Sequence, residues 1–143
     1  MNLELSIDIA AGPDRVWQVL ADVERWPEWT PSMLSVKRLD SGPFRLGSEA
    51  LIRQPRLPRV VWRVTEFEPG RSFTWEARSW GALTVASHRI IPQAGGLRVK
   101  LAVEQTGLLV PLFGPWISKV TRQYMSMEAQ GLRQRCEALK RVA

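Results

Sequence analysis

Residues 2–9 alternate strictly, with Leu3, Leu5, Ile7 and Ile9 set against Asn2, Glu4, Ser6 and Asp8. A period of two marks a strand with one buried face. Gly12-Pro13 then opens a helix, because proline is pre-organised for the first helical position. Val16, Trp17, Val19 and Leu20 fill much of that helix. Asp22 can cap a second short helix running through Trp26, and Pro27 and Pro31 limit its extent.

From about residue 32 to 106 the pattern is one of successive strands. Ser41-Gly42-Pro43, Gln54-Pro55 with Pro58, Pro69-Gly70, Trp80-Gly81 and Ala94-Gly95-Gly96 separate them. Residues 97–103 put Leu97, Val99, Leu101 and Val103 on one face and Arg98, Lys100 and Ala102 on the other. One wet face and one covered face is the signature of an antiparallel sheet packed on a single side. The cover is predicted at about 112–141. There Ile117, Val120, Tyr124, Met127 and Gly131 form one helical stripe, and Met125, Ala129, Leu132, Cys136 and Leu139 an adjacent one. Together they span roughly 200°, so a concave partner is expected around this helix.

Composition narrows the chemistry. The chain has 143 residues, with one His, one Cys and seven Trp. Its length suits one domain over residues 1–143. His88 and Cys136 cannot furnish a Cys/His zinc site, and a lone cysteine excludes an intramolecular disulfide. Neither metal nor cofactor is expected. The start, MNLELSIDI, lacks the basic and apolar regions of a signal peptide, and no window approaches the ~20 apolar residues of a membrane-spanning helix. A cytoplasmic location is the expectation. The net charge of +6 is uneven: Lys37, Arg38, Arg45, Arg53, Arg56, Arg59 and Arg63 face only Asp40 and Glu49 between residues 37 and 63. This patch is either a solvated face or a contact for RNA, a ribosome or anionic membrane. No alternation of aromatic and basic residues marks a specific nucleic-acid module.

The predicted order is a strand, two short helices, six strands and a long C-terminal helix. With it, Gly12-Pro13-Asp14-Arg15-Val16-Trp17-Gln18-Val19-Leu20-Ala21-Asp22 and the following Arg25-Trp26-Pro27-Glu28-Trp29 resemble the opening of the SRPBCC or START-like superfamily. The closer likeness is to its polyketide cyclase/dehydrase-type members. Val60 to Gly70 and Phe73-Thr74-Trp75 resemble that family's middle strands. The resemblance covers essentially the whole chain. It implies an α+β helix-grip fold, in which a seven-stranded curved antiparallel sheet wraps the C-terminal helix around a cavity. It also implies binding of lipids, sterols, polyketides, hormones or quinones, with cyclisation or dehydration in some members. The Val16-Trp17 and Trp26-Pro27-Glu28-Trp29 motifs carry over as helix-packing elements and supply no catalytic residue.

Hairpin register locates candidate pocket residues. An Ala94-Gly95 tip pairs His88 with Leu101, and a Trp80-Gly81 tip pairs Phe73 with His88 and Trp75 with Ala86. Directly opposed residues share a face. A two-residue Pro69-Gly70 tip would pair Glu66 with Phe73, Val64 with Trp75 and Trp62 with Ala77. The predicted inward row is Glu66, Phe73, His88 and Leu101, although a bulge or a longer loop would turn Glu66 outward. His88 is the candidate general acid or base, with Glu66 as its companion. The alternative is a histidine that only hydrogen-bonds a ligand or a side chain.

Candidate ligand contacts are Trp62, Val64, Phe73, Trp75, His88, Leu101, Phe113, Ile117, Tyr124 and Glu128. Glu128 and Arg135 project about 20° apart near the helix's apolar face. Glu128 is expected to reach polar ligand atoms or an arginine from the sheet and Arg135 to snorkel at the cavity's end, with a structural ion pair favoured for both. The run 107–117 reads as buried packing, a gate over the pocket or a shallow membrane contact, and its Gly and Pro residues are expected to break any long helix. Three functions remain open: a binder of a hydrophobic or amphipathic molecule, a cyclase or dehydratase using His88, and a basic-surface interaction protein. Ligand identity and oligomeric state, monomer or homodimer, are not fixed by these patterns.

Overall fold

The computed structural model describes the backbone of residues 1–108 and 110–142, with the side chains of all of these except 112, 113 and 139–142. Strand β1 (Asn2–Ile9) leads into helix α1 (Pro13–Ala21) and a 3-10 helix (Val23–Glu28). Strands β2 (Ser35–Arg38), β3 (Glu49–Arg53), β4 (Val60–Glu68), β5 (Ser72–Ser79), β6 (Ala82–Gln93) and β7 (Gly96–Gly107) follow, and helix α2 (Val110–Val142) ends the chain. The strands form one antiparallel sheet in the order β1-β7-β6-β5-β4-β3-β2. Each strand from β2 to β7 pairs with the next, and β1 closes onto β7.

The predicted β5–β6 and β6–β7 registers are observed: Phe73 opposes His88, Trp75 opposes Ala86 and His88 opposes Leu101. The β4–β5 hairpin differs. Its loop is Pro69-Gly70-Arg71, so that Glu68 opposes Ser72 and Phe67 opposes Phe73. A bulge between Val64 and Glu66 then restores the opposition of Val64 and Trp75. The extra residue in the turn and the extra residue in the strand cancel for everything before the bulge. Between them they reverse the strand end, so Phe67 packs on Trp17 and Glu66 is exposed. Glu66 therefore does not belong to the inward row. Burying Phe67 in its place removes apolar area from water and leaves the carboxylate hydrated.

The core lies between the sheet's inner face and the three helices. Val16, Leu20, Val23 and Trp26 bury α1 and the 3-10 helix against Phe73, Trp75 and Ile90. No side-chain cap holds the start of the 3-10 helix; Asp22 pairs with Arg25 at 3.2 Å, and the Trp26 indole donates to the Leu20 carbonyl at 3.0 Å. Helix α2 packs along β1 and β7. It begins at Val110, earlier than the pattern predicts, and carries Pro115 within it. It passes the end of the 3-10 helix at Gly131, where any β-carbon would overlap the Trp29 carbonyl. Ala129, Leu132 and Cys136 flank that contact and are fully or almost fully buried.

Candidate functional site

The inner face of the sheet is packed at one end and hollow at the other. Phe73 stacks on His88 with 4.4 Å between ring centroids and meets Phe44 and Trp17 edge-on, filling the half of the sheet beneath α1. Toward the β5–β6 turn the inward side chains become small: Ala77 and Ser79 on β5, Thr84 and Ala86 on β6. They cannot reach helix α2, and a cavity of about 170 Å³ results. On the helix it is bounded by Ile117, Thr121, Tyr124 and Glu128, which fall on one stripe at helical spacing. Trp62, Trp75, Val103 and Gln105 complete the sheet side, and Gln54, Leu57 and Pro58 come from the β3–β4 loop.

The cavity has a polar floor. There His88 Nε2 lies 3.0 Å from Glu128 Oε1, and both residues are buried. One hydrogen bond thus joins the imidazole of the sheet to the carboxyl group of the helix. Trp26 and Trp75 present edges and tilted faces to His88 at 5.4 and 6.1 Å, and Trp62 continues the aromatic wall 5.7 Å beyond Trp75. Two buried polar atoms on this lining, Trp62 Nε1 and His88 Nδ1, have no hydrogen-bond partner among the described residues. At the other end Trp80 lines the mouth while 58% exposed, held at φ 52° in the tight turn to β6. Tyr124 donates its hydroxyl to the Pro55 carbonyl, tying α2 to the β3–β4 loop across the opening. Burial raises the Tyr124 phenol above its ordinary pKa, against the opposing pull of Arg56.

Of the residues singled out from sequence, Trp62, Trp75, His88, Ile117, Tyr124 and Glu128 line the cavity. Val64, Phe73 and Leu101 face the same side of the sheet but are buried in the packed half and do not reach the wall. Glu66 is exposed, and the Phe113 side chain lies outside the described residues. Glu128 meets His88, not an arginine, whereas Arg135 pairs with Glu28 at 2.8 Å. Trp26, Thr84, Thr121 and Met125 line the cavity unforeseen. Strand parity extended from His88 would have yielded Thr84, and helix periodicity from Ile117 would have yielded Thr121. Trp26 carried no such signal, because it serves both as the helix-docking residue and as part of the cavity wall.

The predicted run 107–117 divides along its length. Val110 and Ile117 line the cavity, Trp116 is exposed and Leu108 almost wholly so. The basic stretch is partly compensated within the sheet. Arg38 and Arg45 lie 2.8 and 3.5 Å from Asp40, and Arg63 opposes both Glu49 and Glu76 across strands. Burial works to raise the Asp40 carboxyl, but the Glu49 amide, the Ser48 hydroxyl and Arg38 outweigh it and hold it below its ordinary value. No described helix is long and apolar enough to cross a membrane. Among the described residues, no cluster of three His, Cys, Asp or Glu is placed to hold a metal ion.

A long helix held against seven antiparallel strands, with a cavity between, is the arrangement that the sequence resemblance implied. The family model described as polyketide cyclase/dehydrase and lipid transport matches residues 1–137. The chain belongs to this family. Solved structures agree on the fold. A START superfamily protein from Mycobacterium smegmatis is 19% identical, with a TM-score of 0.74 and coverage of 96% of this chain and 98% of that one. A di-domain ARO/CYC, StfQ, from the steffimycin biosynthetic pathway is 12% identical with a TM-score of 0.77; the match covers 97% of this chain and 51% of that one. Major latex-like protein 151 from Panax ginseng is 10% identical with a TM-score of 0.77, covering 95% and 97%. No curated protein matches the sequence significantly. Membership of the polyketide cyclase/dehydrase and lipid-transport family is consistent with a hydrophobic ligand or a cyclase role.

Proposed function

We propose that this family member binds a compact hydrophobic or amphipathic molecule, lipid-like, polyketide-like or quinone-like, in the cavity between β4–β7 and α2. One observation carries the reading: a cavity of about 170 Å³ lies between sheet and helix, walled by aromatic side chains and holding the buried His88–Glu128 contact in its lining. An apolar cavity with a few convergent polar groups is the form that a small-molecule site takes. The volume bounds the ligand. A cavity of about 150 Å³ admits a benzene ring. At about 170 Å³ this one accommodates one ring and a polar group. Anything with several rings or a long chain must extend through the mouth beside Trp80 and Leu57.

The test is a titration with 1-naphthol and with short alkylphenols, followed through tryptophan fluorescence. Trp26, Trp62, Trp75 and Trp80 all line the cavity, so an occupant is expected to quench emission saturably in the folded protein and not in urea. Absence of saturable quenching with every probe would count against the reading.

A second reading, acid–base catalysis of the cyclase or dehydratase type, is favoured by the His88–Glu128 contact. A carboxylate that orients an imidazole is a recurrent device for proton transfer. Here the companion is Glu128 in place of Glu66. If it holds, the protein accelerates deuterium exchange alpha to the carbonyl of a small aryl ketone above the buffer rate, and His88→Gln loses that acceleration. Exchange at the buffer rate in both proteins would leave binding as the function.

A further inference from the structure

We infer that the cavity selects a cationic, amine-bearing ligand and discriminates against carboxylates. The inference deepens the binding reading above and rests on it. Among the described residues, no lysine or arginine lines the cavity, although the chain as a whole carries +6. An anionic head group entering this space would be stripped of water with no counter-charge to receive it, which is costly.

The floor offers the opposite. Glu128 brings a carboxylate, and its side chain keeps 12% of its surface accessible where it borders the cavity. Its Oε1 meets His88 Nε2, which leaves the second carboxyl oxygen to accept from a ligand. Such a floor asks for a donor. The walls beside it are indoles: Trp26 and Trp75 adjoin His88, and Trp62 adjoins Trp75. A carboxylate in an aromatic cavity whose described lining holds no lysine or arginine is chemistry suited to an ammonium group; the nearby Arg56 acts on Tyr124, at the mouth.

The experiment compares three probes of one size, 3-phenylpropylamine, 3-phenylpropanol and 3-phenylpropionate, by tryptophan fluorescence and calorimetry at neutral pH. The amine is expected to bind at least tenfold more tightly than the alcohol, with the carboxylate weakest. In Glu128→Gln, which keeps the shape of the side chain, the amine's advantage over the alcohol is expected to vanish, and a cooperative thermal melt reports that the variant is folded. Equal affinity for amine and alcohol, or tighter binding of the carboxylate, overturns the charge selection and leaves the binding reading standing. Failure of all three to bind overturns both. The wild-type series decides the matter even if Glu128→Gln does not fold.

Discussion

His88 on β6 and Glu128 on α2, forty residues apart, meet at 3.0 Å and join the sheet to its covering helix at the floor of the cavity. Among the described residues theirs is the only side-chain hydrogen bond between β6 and α2. Truncating Glu128 to Ala leaves the imidazole without its hydrogen-bond partner, at a cost of about 1–3 kcal/mol. A double-mutant cycle with His88→Phe and Glu128→Leu, read by urea unfolding, is expected to show a coupling on the order of 0.5–3 kcal/mol. Additive losses would mean that the two side chains contribute only packing.

At Gly131 the helix backbone touches the chain at Trp29 so closely that no side chain fits. Ordinarily Gly→Ala in a helix interior is favourable by roughly 1 kcal/mol. Here overlap with the Trp29 carbonyl is expected to reverse the sign, with a net loss of about 1–3 kcal/mol through displacement of α2. A thermal melt of Gly131→Ala several degrees below wild type is the expected result; a rise would show that the two segments separate at no cost.

Tyr124 holds the mouth through its bond to Pro55. Tyr124→Phe keeps the ring and removes that bond, so the stability loss is expected to be small, about 0.5–1.5 kcal/mol. The kinetic effect is expected to be larger. Amide exchange across residues 54–59 should quicken, and probes should enter and leave the cavity faster with little change in the head-group order. Unaltered exchange in that loop would show that other contacts close it.

Burial pushes the Cys136 thiol up to about 12, with the charge of Arg15 opposing the rise. The thiol is therefore protonated in the folded protein at pH 8 and expected to resist disulfide reagents until urea exposes it. The linkage has a definite sign. A raised pKa favours the folded state below the thiol's ordinary 9.0, and the advantage is lost as pH climbs from there through about 12. Cys136→Ala is expected to flatten the fall in stability over that window.

The arrangement of strands was legible because turn residues and alternation act locally. Trp80-Gly81 and Ala94-Gly95 fix two registers, and His88 follows from both. Between Pro69 and Val64 local rules fail, since the turn takes Arg71 and the strand bulges, and only the burial of Phe67 decides which end of that segment turns inward. Within the site, parity identifies the face of a residue but not its depth. Phe73 and Trp75 share a face, yet one is core and the other wall, because α1 covers only half of the sheet. The meeting of Glu128 with His88 depends on how far α2 is rotated and shifted over the strands. That is settled by the contact at Gly131 and by the packing of Leu132 and Cys136, none of which leaves a motif.

Glu128 and Gly131 lie within a single turn of α2, so the polar floor sits beside a backbone contact, at Trp29, that admits no β-carbon. The mouth has no such anchor; its walls are a hairpin tip and a loop tied down by one phenol. On the proposed binding reading, recognition chemistry and ligand length belong to opposite ends of one cavity. Substitutions around Leu57, Trp80 and Ile117 are then expected to lengthen or shorten the accepted molecule without changing the head-group preference set at Glu128.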